Sequence, residues 1–159
     1  MKKIIRYILL FILFAFVVIQ FINRPEKISE PVTDSDIILA LNVDQEIASM
    51  LKSACYDCHS NQPRYPWYAN VAPINWWIGD HIEHGREELN FSLWSTFTAR
   101  RRDHKLEEMV EMVETREMPL PNYLPMHKEA KLSDEQIEKL KKWANSERAN
   151  IAAETETEN

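Results

Sequence analysis

Apolar and polar positions follow two distinct patterns along this chain. From Tyr7 to Ile22 the residues are apolar without a period, interrupted only by Gln20. Beyond residue 41 apolar residues return every three or four positions, in four blocks. These are Ile47, Met50, Leu51 and Ala54; Ile74, Trp77, Ile78 and Ile82, with His81 on the same face; Leu106, Met109, Val110 and Val113; and Ile137, Leu140, Trp143 and Ala144. That spacing places each block on one side of a helix facing a core. Start signals accompany them: Asn42 with Gln45 three residues on, Ala72-Pro73-Ile74, Asp103, and the capping box Ser133-Asp134-Glu135-Gln136. The second helix is expected to stop near Gly85, and Asn90 or Ser92 to cap a short turn. Prolines at 63 and 66, and at 119, 121 and 125, forbid regular helix in the two longest connections. No alternating strand pattern and no repeat of fixed period occurs. The predicted fold class is all-α.

The unpatterned run calls for a different solvent. Counted from Ile4 to Ile22 it makes a helix of about 28 Å, near the thickness of a bilayer's hydrocarbon core. Lys2, Lys3 and Arg6 precede it, which predicts a single N-terminal transmembrane helix with its N-terminus in the cytoplasm. The rival reading is a cleaved secretory signal, but residues 18–24 lack a small-x-small cleavage pattern. The predicted organisation is an anchor over 1–22, a linker over 23–41 containing Pro25 and Pro31, a domain over 42–145, and a polar, acidic, disordered tail over 146–159. The expected location is the inner membrane, with the domain in the periplasm.

Composition agrees with helices: 45% of residues are hydrophobic and only two are glycine, and straight-chain residues lose little rotamer freedom in a helix. No acidic residue and three basic ones precede position 23. The remainder therefore holds 25 acidic against 16 basic residues, a formal −9. Such a surface excludes nucleic acid as a partner and suits a basic redox protein, or simply solubility.

Both cysteines fall within Cys55-Tyr56-Asp57-Cys58-His59. A Cys-x-x-Cys-His run reads as an attachment site for c-type haem. Two thiols add across the vinyl groups of one porphyrin edge, and the following imidazole, His59, becomes the proximal iron ligand. In bacteria this attachment happens outside the cytoplasm. Two alternatives use the same cysteines. A redox dithiol normally opens a helix after a buried strand, which is missing here. Zinc needs two further ligands, for which His81 and His84 are poorly spaced.

The sixth position on the iron has several candidates. Met118, directly before Pro119 in the rigid loop between the last two helices, is the first choice, and Met126 is the alternative. His81, His84, His104 and His127 follow. A thioether there raises the reduction potential relative to a second histidine and favours electron transfer. The remaining methionines 50, 109 and 112 read as core filler. Arg100-Arg101-Arg102 reads as a solvated face or as a partner for haem propionates, and the aromatic stretch after His59 as a pocket wall.

The order of helix, Cys-x-x-Cys-His, Met-Pro loop and capped last helix resembles class I cytochromes c. More narrowly, several motifs resemble the bacterial haem-binding domain family: Cys55 through Asn61, Pro66-Trp67-Tyr68, Ala72-Pro73, Gly85-Arg86, Leu89-Asn90-Phe91-Ser92-x-Trp94, Met118-Pro119, and His127-x-x-Ala130-Lys131-Leu132-Ser133. The resemblance spans residues 43–144. It implies a cytochrome c-like helical domain around one covalent haem c, held by Cys55, Cys58 and His59, in a membrane-anchored periplasmic protein. An electron carrier is the leading expectation. A haem sensor or peroxidase-like enzyme with an exchangeable distal ligand is the second, and a haem-free thiol oxidoreductase the third.

Overall fold

In a computed structural model that describes residues 1–157, seven helices follow one another: α1 (Lys2–Ile19), α2 (Ile37–Ala40), α3 (Gln45–Ala54), α4 (Tyr56–His59), α5 (Ile74–Glu88), α6 (Ala99–Glu114) and α7 (Asp134–Thr157). Tight 3-10 turns at Trp67–Asn70, Phe91–Thr96 and Lys128–Ala130 join them, and among the described residues no strand occurs. The core forms where the stripes of α3, α6 and α7 meet. Ile47, Met50 and Leu51 are buried against Leu106, Met109, Val110 and Val113, and against Ile137, Leu140 and Ala144. Phe91 and Trp94 fill the remaining side. Burying each large apolar side chain contributes about 1.5–3 kcal/mol, so this seam outweighs the ion pairs at its edge. Those pairs report direction instead. Arg148 meets Asp103 and Glu107 while Lys141 meets Glu114, so α6 and α7 run antiparallel.

The capping box opens α7 as predicted. The Gln136 amide donates to Ser133 Oγ at 3.2 Å, and the Ser133 amide donates to Gln136 Oε1 at 2.8 Å. Ser133→Ala is expected to lower unfolding free energy by about 1 kcal/mol, read as a shift in the urea midpoint; an unshifted midpoint would contradict the cap's role.

Several expectations are corrected. No helix among the described residues is long and apolar enough to cross a membrane. The reason lies in where α1 stops. It ends at Ile19, and its 18 residues include Lys2, Lys3 and Arg6. The uncharged part, 7–19, is about 20 Å long as helix, short of the roughly 30 Å of hydrocarbon. Beyond it Gln20 turns to the domain, accepting from the Ala72 amide at 2.9 Å and donating to the Ala72 carbonyl at 3.2 Å. The transmembrane anchor, and with it the membrane as a partner, is withdrawn.

Segment 23–41 lies against the domain. The Ile28 amide donates to the Tyr65 hydroxyl, Glu30 pairs with Asn61, and buried Asp36 caps α2 while accepting from the Tyr56 hydroxyl at 2.7 Å. Asn42 does not cap α3. It takes a left-handed φ of 46° at the end of α2, a conformation asparagine tolerates, and Asp44 accepts from the amides of Glu46 and Ile47. Thr98, not Asp103, caps α6, because Asp103 is turned toward Arg148. The tail expected from residue 146 is helical through Thr157; Ile151 extends the inward stripe of α7 and is 4% exposed. The rest of the predicted tail lies outside the described residues.

Candidate functional site

Helix α3 delivers its last apolar turn directly into the cysteine motif. Cys55 ends α3, with its amide on the Leu51 carbonyl at 2.9 Å, and opens α4. The amides of Cys58 and His59 both return to the Cys55 carbonyl, at 3.1 and 3.0 Å. This is one helical turn, and residues three apart on a helix share a side, so the two thiols project together. Both are free and half-buried. The intervening residues point elsewhere. Tyr56 is buried, stacked on Phe91 with ring centroids 5.5 Å apart, and Asp57 is buried beside Arg64.

His59 sits beneath the C-terminus of α5. Its Nδ1 lies 3.0 Å from the Leu89 carbonyl, and its ring meets Phe91 edge-on at 6.3 Å. A carbonyl only accepts, so Nδ1 carries the proton and the lone pair is at Nε2. Burial holds the imidazole pKa below its ordinary value, only partly offset by the carbonyls of Leu89 and Gly85 and by Glu88. His59 is therefore neutral at pH 7, the form that binds a metal.

Gly85 makes the approach of α5 possible. A Cβ placed there would meet the Cys58 carbonyl oxygen at 2.8 Å and its carbonyl carbon at 3.3 Å. This glycine does not end the helix, as the sequence suggested, because α5 continues to Glu88. It removes the side chain that would hold α5 away from α4. The stripe predicted on α5 is also only partly inward: Ile82 is buried and Ile78 intermediate, but Ile74 and Trp77 are 44% and 45% exposed.

The competing readings of the cysteines fit less well. Burial pushes the Cys55 thiol up to about 12, with Cys58 adding to the effect, and the Cys58 thiol up to about 11, with Asp57 adding. A nucleophilic dithiol needs the opposite shift. Among the described residues no group of three or more His, Cys, Asp or Glu side chains could hold a metal ion. The His81 ring is tilted against Trp77, with centroids 4.2 Å apart, and its Nδ1 lies 2.9 Å from the Trp77 carbonyl; His84 is exposed beside Asp80.

Met118 begins the proline loop after α6. The chain leaves the helix through Arg116, at φ 63°, and the amides of Glu117 and Met118 both donate to the Met112 carbonyl at 3.0 Å. Met118 is half-buried, whereas Met126 is 65% exposed. His127 has both nitrogens engaged, Nε2 with the Tyr68 hydroxyl and Nδ1 with Glu129. His104 pairs with Glu107 and Glu108 on the outside of α6. Of the arginine cluster, Arg101 lies over the Phe97 ring and Arg102 faces Glu154. Cys55, Cys58 and His59 thus come together on one turn, and Met118 is linked to that turn through Tyr123, whose hydroxyl donates to Asp57 at 2.7 Å.

The residues that hold this turn stand in the sequence within the motifs of the resemblance, without a role assigned to them. Asn61 is the main one. Its Oδ1 accepts from Arg86 Nε and Nη2 and from Asn90 Nδ2, its carbonyl accepts from the Glu30 amide, and its amide donates to Ser92 Oγ. One residue, through its side chain and its backbone, therefore ties segment 23–41, α5 and the Phe91–Thr96 turn to the end of the motif. The signal was a run of small polar residues directly after His59, where a solvated loop was also a reasonable expectation.

A family model described as a haem-binding domain matches residues 14–146. The chain belongs to the haem-binding domain family. No curated protein and no solved structure matches it. The haem-binding domain so defined takes in the end of α1, all of α2 to α6 and the first half of α7, and the cysteine turn lies within it. Its donor set suits the group: two free thiols on one face, a neutral imidazole with its lone pair at Nε2, and a thioether in the loop joined to that turn.

Proposed function

We propose that this haem-binding domain is a mono-haem c-type cytochrome that carries electrons. The observation that supports it most is the state of the motif, with two free thiols on one helical turn and His59 committed through Nδ1 to the Leu89 carbonyl at 3.0 Å. Cys55 and Cys58 would hold one haem by thioether bonds, His59 Nε2 would supply the proximal ligand and Met118 Sδ the distal one, with Met126 the alternative. When bound, haem supplies an iron that cycles between ferrous and ferric states. The chain's own groups tune that couple. The Leu89 carbonyl fixes the His59 tautomer and raises its basicity as a ligand. A thioether at Met118 favours the reduced iron and raises the potential. Phe91, stacked on Tyr56, meets the His59 ring edge-on and would shelter it from water.

The reading as a carrier rests on a closed distal position. Ferrous protein matured with haem-attachment machinery is therefore expected to bind carbon monoxide slowly. Rapid binding would replace the carrier with a haem sensor or a peroxidase-like enzyme whose distal ligand exchanges. The net charge of −6 favours a basic redox protein as partner. Because thioether attachment takes place outside the bacterial cytoplasm, the domain is placed in the periplasm. Digestion by protease added to intact spheroplasts tests this, and full protection would contradict it.

A further inference from the structure

Asp57 is a carboxylate buried between the two cysteines, at 8% exposure. Its Oδ1 accepts from the Arg64 amide and Arg64 Nε, both at 3.0 Å. Its Oδ2 accepts from Arg64 Nη2 at 2.9 Å and from the Tyr123 hydroxyl at 2.7 Å. The Arg64 bonds are local, seven residues along the chain. The Tyr123 bond joins the cysteine turn to the loop that starts at Met118, 66 residues away.

That loop is fastened elsewhere too. At its start, the Met118 amide bonds to the Met112 carbonyl. At its end, the Tyr123 ring lies flat on His127 with centroids 3.9 Å apart, and His127 is held by the Tyr68 hydroxyl and Glu129. Between these points, among the described residues, the hydrogen bond from Tyr123 to Asp57 is the one that ties the loop to the cysteine turn. A bond to an ionised acceptor in a partly buried place is stronger than one between neutral groups.

We propose that Asp57 is a positioning residue for the distal side: through Tyr123 it holds the Met118 loop against the cysteine turn and so limits how readily the sixth ligand leaves the iron. This rests on the reading of Met118 as that ligand. Asp57 touches no reacting atom in this role; it acts through Tyr123. Arg64 continues to pair with Asp57 when the Tyr123 hydroxyl is removed, so Tyr123→Phe frees the loop without stranding a buried charge.

The test compares holoprotein of the wild type, Tyr123→Phe, Asp57→Asn and Met118→Ala. Three quantities are followed: covalent haem content, the rate of carbon monoxide binding to the ferrous form, and amide hydrogen exchange over residues 118–127. Tyr123→Phe is expected to keep its haem, to exchange the loop amides about tenfold faster or more, and to bind carbon monoxide faster by a similar factor. In Asp57→Asn one of the two acceptor oxygens becomes an NH2 that faces Arg64 or the Tyr123 hydroxyl, so the loop is expected to loosen there as well; an Asp57→Asn loop that exchanges at the wild-type rate would contradict the proposal. If Tyr123→Phe changes neither exchange nor binding rate while Met118→Ala does accelerate binding, the latch is wrong and the Met118 reading survives. If the loop loosens but carbon monoxide binding is unchanged, Asp57 has a structural role only and the proposal falls. Unchanged binding in Met118→Ala removes the ligand assignment itself, and the proposal with it.

Discussion

The double variant Cys55→Ser, Cys58→Ser is expected to contain no covalent haem, so that acidified organic solvent extracts all of its porphyrin while the wild type retains its own. Serine nearly preserves the shape of cysteine, and the turn is held by backbone bonds from Cys58 and His59 to the Cys55 carbonyl, not by the thiols. The fold around α4 should persist. What disappears is the soft sulfur nucleophile that forms a carbon–sulfur bond with each vinyl group. Each single variant keeps one thiol and is expected to retain one thioether. Circular dichroism of the double variant separates lost attachment from lost structure, and porphyrin that resists extraction from it would refute the assignment of these cysteines.

Gly85→Ala is expected to damage both stability and haem content. Alanine in the interior of α5 gains up to about 1 kcal/mol of helix propensity over glycine. Against this, its Cβ would stand 2.8 Å from the Cys58 carbonyl oxygen, which is backbone and cannot swing aside as a flexible side chain would. Forced overpacking costs about 1–3 kcal/mol, so the net loss is on the order of 1–2 kcal/mol. The helix must move away from α4, and the Leu89 carbonyl that orients His59 moves with it. Gly79 provides the comparison. A Cβ there would meet the ring of Pro25 at 2.7 Å, but Pro25 lies in the non-helical segment that follows α1, and this segment can yield without disturbing the cysteine turn. Urea denaturation and haem yield of the two variants check the difference. A Gly85→Ala protein with wild-type stability and haem content would mean that the α4–α5 contact is not needed.

Periodicity was most informative where a helix packs on other helices with a single face. The stripes of α3, α6 and α7 are buried nearly residue for residue, and the box at Ser133 caps as its spacing implies. The stripe of α5 was read correctly as a helix but only partly as core, because periodicity does not say which face finds a partner. Caps failed at Asn42 and Asp103 for a related reason: Asp44 and Thr98 each offered a rival oxygen nearby, and only the tertiary pairing of Asp103 with Arg148 settles that choice. Hydropathy also misjudged α1, since the apolar run extends three residues beyond the point at which the helix stops and Gln20 binds Ala72. Of the candidate site, the grouping of Cys55, Cys58 and His59 on one turn was legible from spacing alone. Asp57, Asn61 and Tyr123 were not, because their roles arise from contacts across 25 to 66 residues.

Covalent haem with histidine and methionine on the iron has a spectroscopic signature that one comparison reads. Protein matured with attachment machinery is examined as its pyridine haemochrome and in its native ferric state, beside Met118→Ala. The expected result is a c-type haemochrome, low-spin iron, and a weak far-red sulfur-to-iron band that disappears in the variant. A high-spin native spectrum, or a band that persists without Met118, would contradict it.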